Sequence, residues 1–265
     1  MARVARISIA PVKALGLVHP DEVHVGERGV AGNRRFWLVE PDCRLVSNKR
    51  HPTLLKIRPE WDEETRVLAL TFPDGSNVAG TVELGGDVFE QEMYSHPIRS
   101  RRVLGPWEDA ISDYAGRPLT LLWAEEGAPD RLHAGTTTLV SRESVARLAD
   151  AAGVDELDPR RFRMLFDIDG VEPHEEDEWI GTQVRVGGAT LQIHGDVGRC
   201  AITTLDPDTG VPTVDTLGAL AAYRREGRKE PLPLGVYASV VRPGRVRLGD
   251  EVVPLQERLI ATSLS

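Results

Sequence analysis

The chain has 265 residues and a formal net charge of −9, from 32 lysines and arginines against 41 aspartates and glutamates. This acidic balance argues against a nucleic-acid partner, because neutralising phosphates needs a surplus of basic side chains. The two cysteines, Cys43 and Cys200, are too few and too far apart for a disulfide framework, a zinc ribbon or an iron–sulfur cluster, which favours a reducing compartment. No signal-peptide pattern or membrane-spanning stretch is recognised, so we expect a cytoplasmic protein with no membrane partner.

The first hundred residues are patterned as short strands separated by turns. β-Branched and aromatic residues cluster in these runs, and Pro73-Asp74-Gly75 and Gly85-Gly86 supply turn chemistry. Many short strands at even spacing are typical of a barrel or a sandwich. The predicted strands are Val4 to Ile9, Phe36 to Val39, Val67 to Phe72 and Thr81 to Leu84.

The second half mixes helices and strands. Helices are predicted over 107–116, over 141–152 between an N-cap at Ser141 and a stop at Gly153, and over 213–225. Strands over 182–186 and 189–193 meet at Gly187-Gly188, which is a hairpin signal, and further strands follow over 237–241 and 244–253. This change from closely spaced short strands to a mixture of helices and strands predicts domains over 1–106 and 107–255. A tail is predicted over 256–265.

The most informative segment surrounds Cys200. A free cysteine is more often a small buried hydrophobe than a functional thiol. Here Arg199 and the polar run from Thr203 to Thr209 favour a partly exposed, electropositive site in which a thiolate is stabilised. His194 lies six residues upstream, so a Cys-His pair stays open, although no nucleophile signature accompanies it. Cys43 lies in a predicted surface turn and is interpreted as incidental.

Basic residues recur outside helices at three places. They are Lys13, the pair Arg34 and Arg35, and the cluster of Arg160, Arg161 and Arg163. In a chain this acidic, together they indicate ligands for a phosphate or another anion. The acidic run from Glu172 to Glu178 is consecutive and unspaced, so it is interpreted as a solvated loop and not as a metal site.

Several of these motifs match one known family. The matching elements are Pro11-Val12-Lys13, Asn33 to Val39, Asn48 to Pro52, Ser141-Arg142-Glu143-Ser144, Phe162-Arg163-Met164, Glu176 to Trp179 and Arg199 to Gly210. On these residues the chain resembles the MOSC-domain proteins, named for the C-terminal domain of molybdenum cofactor sulfurase. Within them it is similar to the group with an N-terminal β-barrel domain, which includes the mitochondrial amidoxime-reducing component and bacterial relatives.

The resemblance implies a fold, a cofactor and a set of site residues. The fold would be mainly β with some helices (α+β), with an N-terminal β-barrel-like domain and a MOSC β-barrel domain. Cys200 would ligate the metal of the molybdenum cofactor (Mo-molybdopterin), as suits a soft thiolate. Asp206 and Asp208 would act beside Cys200 by shaping the metal-facing loop. The implied cofactor-binding residues are Lys13, Arg34, Arg35, Ser141, Arg163, Arg199, Thr203 and Thr204.

The resemblance also implies an activity, the reduction of small N-hydroxylated substrates such as amidoximes, hydroxylamines and N-hydroxylated base analogues. Electrons would come from a separate donor protein of the flavin reductase, ferredoxin or b-type cytochrome class, and the run Glu172 to Glu178 is a candidate contact for it. A sulfur or cofactor carrier without turnover and a cofactor-free thiol enzyme are the alternatives. Asn33, Phe36, Met164 and Leu165 depart from the family pattern and bear on the pterin contacts.

Overall fold

The structure is a computed structural model that describes residues 1–93, 96–125 and 135–255. The strands are β1 (Arg3–Ile7), β2 (Glu22–Gly26), β3 (Gly29–Val30), β4 (Phe36–Val39), β5 (Arg58–Asp62), β6 (Val67–Thr71), β7 (Asn77–Thr81), β8 (Glu83–Met93), β9 (His96–Leu104), β10 (Thr120–Ala124), β11 (Thr137–Ser141), β12 (Phe166–Asp169), β13 (Gln183–Val186), β14 (Ala189–Gly198), β15 (Pro233–Arg242), β16 (Gly244–Arg247) and β17 (Val252–Leu255). The α-helices are α1 (Trp107–Ala115), α2 (Arg142–Ala152) and α3 (Thr216–Tyr223), and short 3-10 helices span Pro52–Lys56, Pro159–Phe162, Glu175–Trp179 and Ala201–Thr204. The chain is therefore mainly β with some helices, as predicted.

Seven strands form one sheet whose two edges meet. Their spatial order is β1, β12, β11, β15, β14, β13 and β17, with only β11 and β12 parallel. A bridge joins Arg3 to Glu251, and the Val4 amide donates to the Asp250 carbonyl at 2.9 Å. The sheet is thus a nearly closed barrel, and closure covers edge strands that would otherwise expose unpaired backbone groups.

The interior of the barrel is a single apolar core. Its buried side chains come from both ends of the chain, including Ile7, Val25, Phe166, Leu191 and Val246. The small sheet of β16, β2 and β3 contributes to the same core, because Val23 and Val25 pack with the barrel strands.

A second core lies in the N-terminal half of the chain. The sheets β5-β6-β7 and β4-β10-β9-β8 enclose it, and only Val82 separates β7 from β8, so the chain turns from one sheet into the other there. Helix α1 closes the core with Trp107 and Ile111, and the Trp107 indole donates to the Leu68 carbonyl at 3.0 Å.

Segments from both sides of residue 106 contribute to each of the two cores, and the domain boundary there stays a prediction. Helix α1 and strand β10 follow that boundary but pack in the N-terminal core, since β10 pairs with β4 and β9. Strands β1 to β3 precede it but belong to the barrel and its core. Strand pairing between distant segments sets this division, and turn chemistry carries no signal of it.

Several predicted elements are confirmed with their caps. The Ser141 hydroxyl accepts from the Ser144 amide at the start of α2, and Gly116 and Gly153 end α1 and α2 in the left-handed conformation. The third helix is shorter than predicted, because the Asp215 carboxylate caps it by accepting from the Gly218 amide. The turn predicted at Gly85-Gly86 was wrong, because β8 continues through both glycines with an irregular register.

The predicted tail over 256–265 lies outside the described residues. In the described part of the chain, no helix has the length and apolar character needed to cross a membrane.

Candidate functional site

A cavity of about 390 Å³ lies where the barrel meets the N-terminal region. Both parts of the chain supply its walls. The N-terminal wall consists of Lys13, Ala14, Arg34, Val46, Ser47 and Asn48, and the barrel wall of Arg161, Phe162, Arg163, Val197, Gly198, Arg199, Cys200, Ile202 and Thr203. The fold therefore brings together six of the residues selected from sequence: Lys13, Arg34, Arg163, Arg199, Cys200 and Thr203.

Cys200 occupies a sharp change of backbone direction. Strand β14 ends at Gly198, and Cys200 is the N-cap residue of the short 3-10 helix Ala201–Thr204. The amide and the hydroxyl of Thr203 both donate to the Cys200 carbonyl, at 3.0 and 3.1 Å. The thiol makes no capping hydrogen bond and is half-buried. The backbone is fixed while the sulfur stays available to a ligand in the cavity.

Arg199 anchors the strand end that carries Cys200. Its Nε donates to the Leu234 carbonyl at 2.9 Å and its Nη1 to the Phe162 carbonyl at 3.2 Å. The guanidinium carbon also lies 5.3 Å from the centroid of the Phe162 ring. Arg199 therefore holds the backbone next to Cys200, and its guanidinium group lines the same cavity as the thiol.

The buried carboxylate of Asp196 fixes the end of strand β14 next to the segment 228–230. Asp196 is 1% exposed and accepts from the amides of Arg228, Lys229 and Glu230, the last at 2.8 Å. The Glu230 carboxylate in turn accepts from the Gly198 amide at 2.9 Å. Sequence reasoning missed Asp196, because its partners lie more than thirty residues away and no local pattern marks them.

The N-terminal wall is built by two loops joined through their backbones. The Lys13 amide donates to the Phe36 carbonyl at 2.8 Å, and the Arg34 amide to the Ala10 carbonyl at 2.7 Å. The Asn33 side-chain oxygen accepts from the Ala10 amide at 3.0 Å. Asn33 departs from the aspartate of the family pattern, yet an amide oxygen supplies the same acceptor. This departure is compatible with the placement of Lys13 and Arg34.

Asn48 lies on the same wall and belongs to the motif Asn48 to Pro52, but it is not among the predicted site residues. It is 3% exposed, and its Nδ2 donates to the Ala14 carbonyl at 2.6 Å, which fixes the loop after Lys13. A sequence signal was present in the element Asn48 to Pro52, although nothing in it distinguished Asn48 from its neighbours.

Arg163 reaches from the barrel to the N-terminal region. It follows the helix Pro159–Phe162, and its Nη2 donates to the Leu15 carbonyl at 2.9 Å. Arg163 and Arg34 both have φ near +52°, a left-handed conformation that side chains other than glycine adopt at a cost. Two basic residues of one cavity are thus held in an uncommon conformation by the contacts around them.

Arg161 is the buried cation of the same wall. It is 8% exposed, and it donates to the Thr204 carbonyl at 3.0 Å and to the Thr213 hydroxyl at 2.6 Å. Burial lowers the pKa of its guanidinium group, but an arginine stays charged at neutral pH. The cavity is therefore cationic although the whole chain is acidic.

Ser141 does not reach the cavity that was predicted for it. Its side chain is fully buried, its hydroxyl accepts from the Ser144 amide at 3.0 Å, and it lies 2.6 Å from the Ser144 hydroxyl. Ser141 is therefore not among the residues that line this cavity, and its contact with a cofactor stays a prediction.

Two further predicted residues lie beside the cavity without lining it. Arg35 donates to the carbonyls of Ala124 and Glu125, at 3.4 and 3.3 Å, and lies over the Trp123 ring. The Thr204 hydroxyl donates to the Ala201 carbonyl at 2.7 Å, which stabilises the helix after Cys200. Both side chains maintain the walls from outside.

Asp206 and Asp208 shape their own loop and do not line the Cys200 cavity. The Asp206 carboxylate accepts from the Thr209 amide at 2.9 Å and from the Thr209 hydroxyl at 2.8 Å. Asp208 forms a two-pronged ion pair with Arg160, with N–O distances of 2.9 and 2.6 Å. Gly210, at φ +71°, ends the loop against the Pro52 carbonyl, where a Cβ would clash. The predicted action of the two aspartates beside Cys200 stays a prediction.

The acidic run from Glu172 to Glu178 was wrongly interpreted as a solvated loop. Its central residues form the short helix Glu175–Trp179, in which Glu176 has no exposed surface and Asp177 is 8% exposed. Glu176 accepts from the Ser141 amide at 3.2 Å and from the Ser144 hydroxyl at 2.9 Å, and burial raises the pKa of its carboxyl group. The pattern of consecutive acids did not reveal these buried donors.

The barrel, the second β unit and the cavity at their junction, which is lined by cationic residues and a thiol, define a mainly β protein with two cores and a candidate ligand site. Two family models match the chain: "MOSC N-terminal beta barrel domain" matches residues 1–101, and "MOSC domain" matches residues 130–253. The first match includes strands β1 to β3, whose side chains pack in the barrel core. The chain belongs to the MOSC-domain family.

Relatives fall into two groups. Mitochondrial amidoxime reducing component 2 is 32% identical in Homo sapiens and 34% identical in Rattus norvegicus, and in each case the match covers 94% of this chain and 82% of the relative. Molybdenum cofactor sulfurase 2 of Culex quinquefasciatus is 25% identical over 91% of this chain, which spans only 34% of that relative. A solved structure, the YuaD protein from Bacillus subtilis, matches at 14% identity and a TM-score of 0.44, covering 96% of this chain and 97% of that one.

Proposed function

We propose that this chain binds the molybdenum cofactor through Cys200 and reduces small N-hydroxylated compounds. The observation that carries the proposal is the half-buried Cys200 thiol in a cationic cavity between the two family domains. The names of the relatives associate the chain with this cofactor and with amidoxime reduction.

The residues present fit such a group. A pterin dithiolene with a terminal phosphate is anionic, and Lys13, Arg34 and Arg163 line the cavity with positive charge. Arginine gives two-pronged contacts to phosphate oxygens and lysine gives a point charge. The volume of about 390 Å³ lies in the range of about 300–1,000 Å³ usual for ligand sites.

Each residue would have a separate part in the reaction. Cys200 would be the ligand from the protein, deprotonated by the metal it binds. Arg199 would keep the sulfur in place through its bonds to the Leu234 and Phe162 carbonyls. When bound, the cofactor supplies two-electron reduction, in which R–NHOH takes up two electrons and two protons and leaves as R–NH₂ and water. The electrons would come from a separate donor protein of the flavin reductase, ferredoxin or b-type cytochrome class.

A carrier of the cofactor or of persulfide sulfur is the second candidate. The sulfurase relatives favour it, since one of them matches 91% of this chain. A carrier would use the same thiol and the same cations but would not turn substrate over.

The deciding experiment compares the two cysteines of the chain. The protein is produced in a host that makes the cofactor, and molybdenum content and benzamidoxime reduction with a viologen donor are measured. We expect Cys200→Ala to lose bound molybdenum and to lower activity at least about a hundredfold, because the metal ligand is removed. Cys43→Ala is the matched control, because Cys43 is exposed and lines none of the described cavities, and it should retain both.

Three outcomes separate the candidates. Wild-type protein without molybdenum contradicts the cofactor proposal. Bound molybdenum without reduction of any N-hydroxylated substrate favours the carrier, as does cyanide-releasable sulfur on Cys200. If metal-free protein shows an activity and a thiol reagent abolishes that activity, the cofactor-free thiol enzyme is favoured.

A further inference from the structure

A second cavity, of about 230 Å³, adjoins the Cys200 cavity. The two share three wall residues, Arg161, Arg163 and Ile202. The loop that carries Asp208 forms its opposite side, so this cavity lies beyond the thiol along the junction of the two β units.

The walls of the second cavity combine positive charge with apolar surface. Arg58, Arg160, Arg161 and Arg163 contribute four guanidinium groups. Leu17, Leu55, Ile202, Leu205 and Pro207 contribute apolar surface, and Leu55 and Leu205 are almost fully buried. Such a surface matches an anionic group attached to an apolar skeleton, because charge attracts the anion while apolar contact excludes water around it.

The four guanidinium groups differ in the partners that they already have. Asp158 and Asp208 both pair with Arg160, at 2.6 Å each, and neutralise it. Arg161 donates to the Thr204 carbonyl and pairs with the Asp206 carboxylate at 3.8 Å, and Arg163 donates to the Leu15 carbonyl. Arg58 is exposed at the start of strand β5, and its guanidinium group has no hydrogen-bond or ion-pair partner among the residues that the structure describes. Arg58 is therefore the cation that can bind an incoming anion with the smallest loss of existing interactions.

We propose that the second cavity is a specificity subsite for a carboxylate on an apolar or aromatic substrate skeleton, with Arg58 as the residue that selects the charge. The inference rests on the proposed function, because the N-hydroxylated end of the same molecule would then face the Cys200 cavity. The proposed subsite narrows the preferred substrates from N-hydroxylated compounds in general to those that carry an anionic group.

The experiment uses a matched pair of substrates on the cofactor-loaded protein. 4-Carboxybenzamidoxime carries the anion, and its methyl ester has the same skeleton without the charge. We expect kcat/KM to favour the acid in wild type and the ratio of the two values to fall about tenfold in Arg58→Gln, as for a lost charge-assisted hydrogen bond. Arg117→Gln is the control, because this exposed arginine lines neither cavity, and it should leave the ratio unchanged.

A binding measurement keeps this inference separate from the proposed activity. Calorimetry with 4-carbamoylbenzoate and its methyl ester needs no turnover, and the acid should bind more tightly to wild type than to Arg58→Gln by about tenfold. Equal kcat/KM for acid and ester in wild type, or equal binding of the acid to wild type and Arg58→Gln, overturns the subsite. Failure to reduce any amidoxime overturns the proposed function, and the calorimetry then decides the subsite alone.

Discussion

Two acidic segments of this chain resemble each other in composition and differ entirely in surroundings. In the segment 172–178, Glu176 is fully buried among donors from Ser141 and Ser144. In the loop 206–208, Asp208 is exposed and pairs with Arg160. The difference shows that the number of acidic residues does not decide their role. The donors that the fold brings to each carboxylate decide it, and these come from residues distant in sequence.

The first segment also belongs to a network that the loop lacks. The His174 amide donates to the Ser144 hydroxyl at 2.7 Å, and Asp177 pairs with Arg224. Removing one member of a buried network leaves its partners without hydrogen bonds, whereas an exposed partner is replaced by water. Substitutions in the two segments should therefore differ strongly in their effect on stability.

The largest effect is expected for Glu176→Ala. It leaves the Ser141 amide and the Ser144 hydroxyl without their acceptor and opens a space in a buried region, which should lower the free energy of unfolding by about 3 kcal/mol. Urea denaturation followed by circular dichroism measures it. Glu178→Ala is the control two residues away, since Glu178 is 72% exposed in its pair with Arg228 and should change stability by less than about 1 kcal/mol. Equal losses for the two variants would contradict the contrast.

His174, inside the same segment, should make stability depend on pH. Burial, with the nearby charges of Arg224 and Arg147, lowers its pKa to about 4. The unfolded chain takes up a proton near pH 6.5 while the folded chain does not, so stability is present above that pH and is lost as pH falls toward 4. His174→Asn removes the titration and suits the left-handed backbone at this position.

The measurement is the free energy of unfolding at several pH values between 4.5 and 8. The difference in free energy of unfolding between wild type and His174→Asn should be constant above pH 7. Below pH 7, wild type should lose stability relative to the variant. Other titrating groups are common to both proteins and cancel in that difference. Parallel curves across the whole range would show that His174 titrates normally in the folded state.

The smallest effects on stability are expected in the loop 206–208, where the loss for Asp206→Ala should exceed the loss for Asp208→Ala. Asp206→Ala removes the acceptor for the Thr209 amide and hydroxyl and should cost about 1 kcal/mol, as for the loss of a capping side chain. Asp208→Ala removes an exposed ion pair and should cost less than about 0.5 kcal/mol, because Arg160 keeps Asp158. Thermal melting of both variants tests the order, and a larger loss for Asp208→Ala would reverse the interpretation of this loop.

Local signals explain which parts of the fold could be predicted. Ser141 and Gly153 define the ends of α2, and Gly187-Gly188 defines a hairpin, because caps and turns depend on residues a few positions apart. The placement of β1 beside β12 depends on pairing between residues more than 150 positions apart. No local pattern encodes that pairing.

The same distinction applies to the site. Lys13, Arg34, Arg163 and Cys200 were selected as charged or nucleophilic residues in matching motifs, and the fold brings them to one cavity. Ser141, Asp206 and Asp208 belong to the same motifs but do not line this cavity, and their hydroxyl or carboxylate groups contact neighbouring donors or cations. A motif identifies which side chains matter, while hydrogen-bond competition decides where they point.

The bridge between Arg3 and Glu251, which closes the barrel, has a consequence for synthesis of the chain. At roughly 5–20 residues per second, the first strand leaves the ribosome on the order of ten seconds or more before its last partner. The N-terminal core, whose strands all lie between residues 36 and 124, is complete long before that moment. We therefore expect the barrel to close after the N-terminal core has formed, and the cavity that holds Cys200, which needs residues from both parts, to be completed late in synthesis.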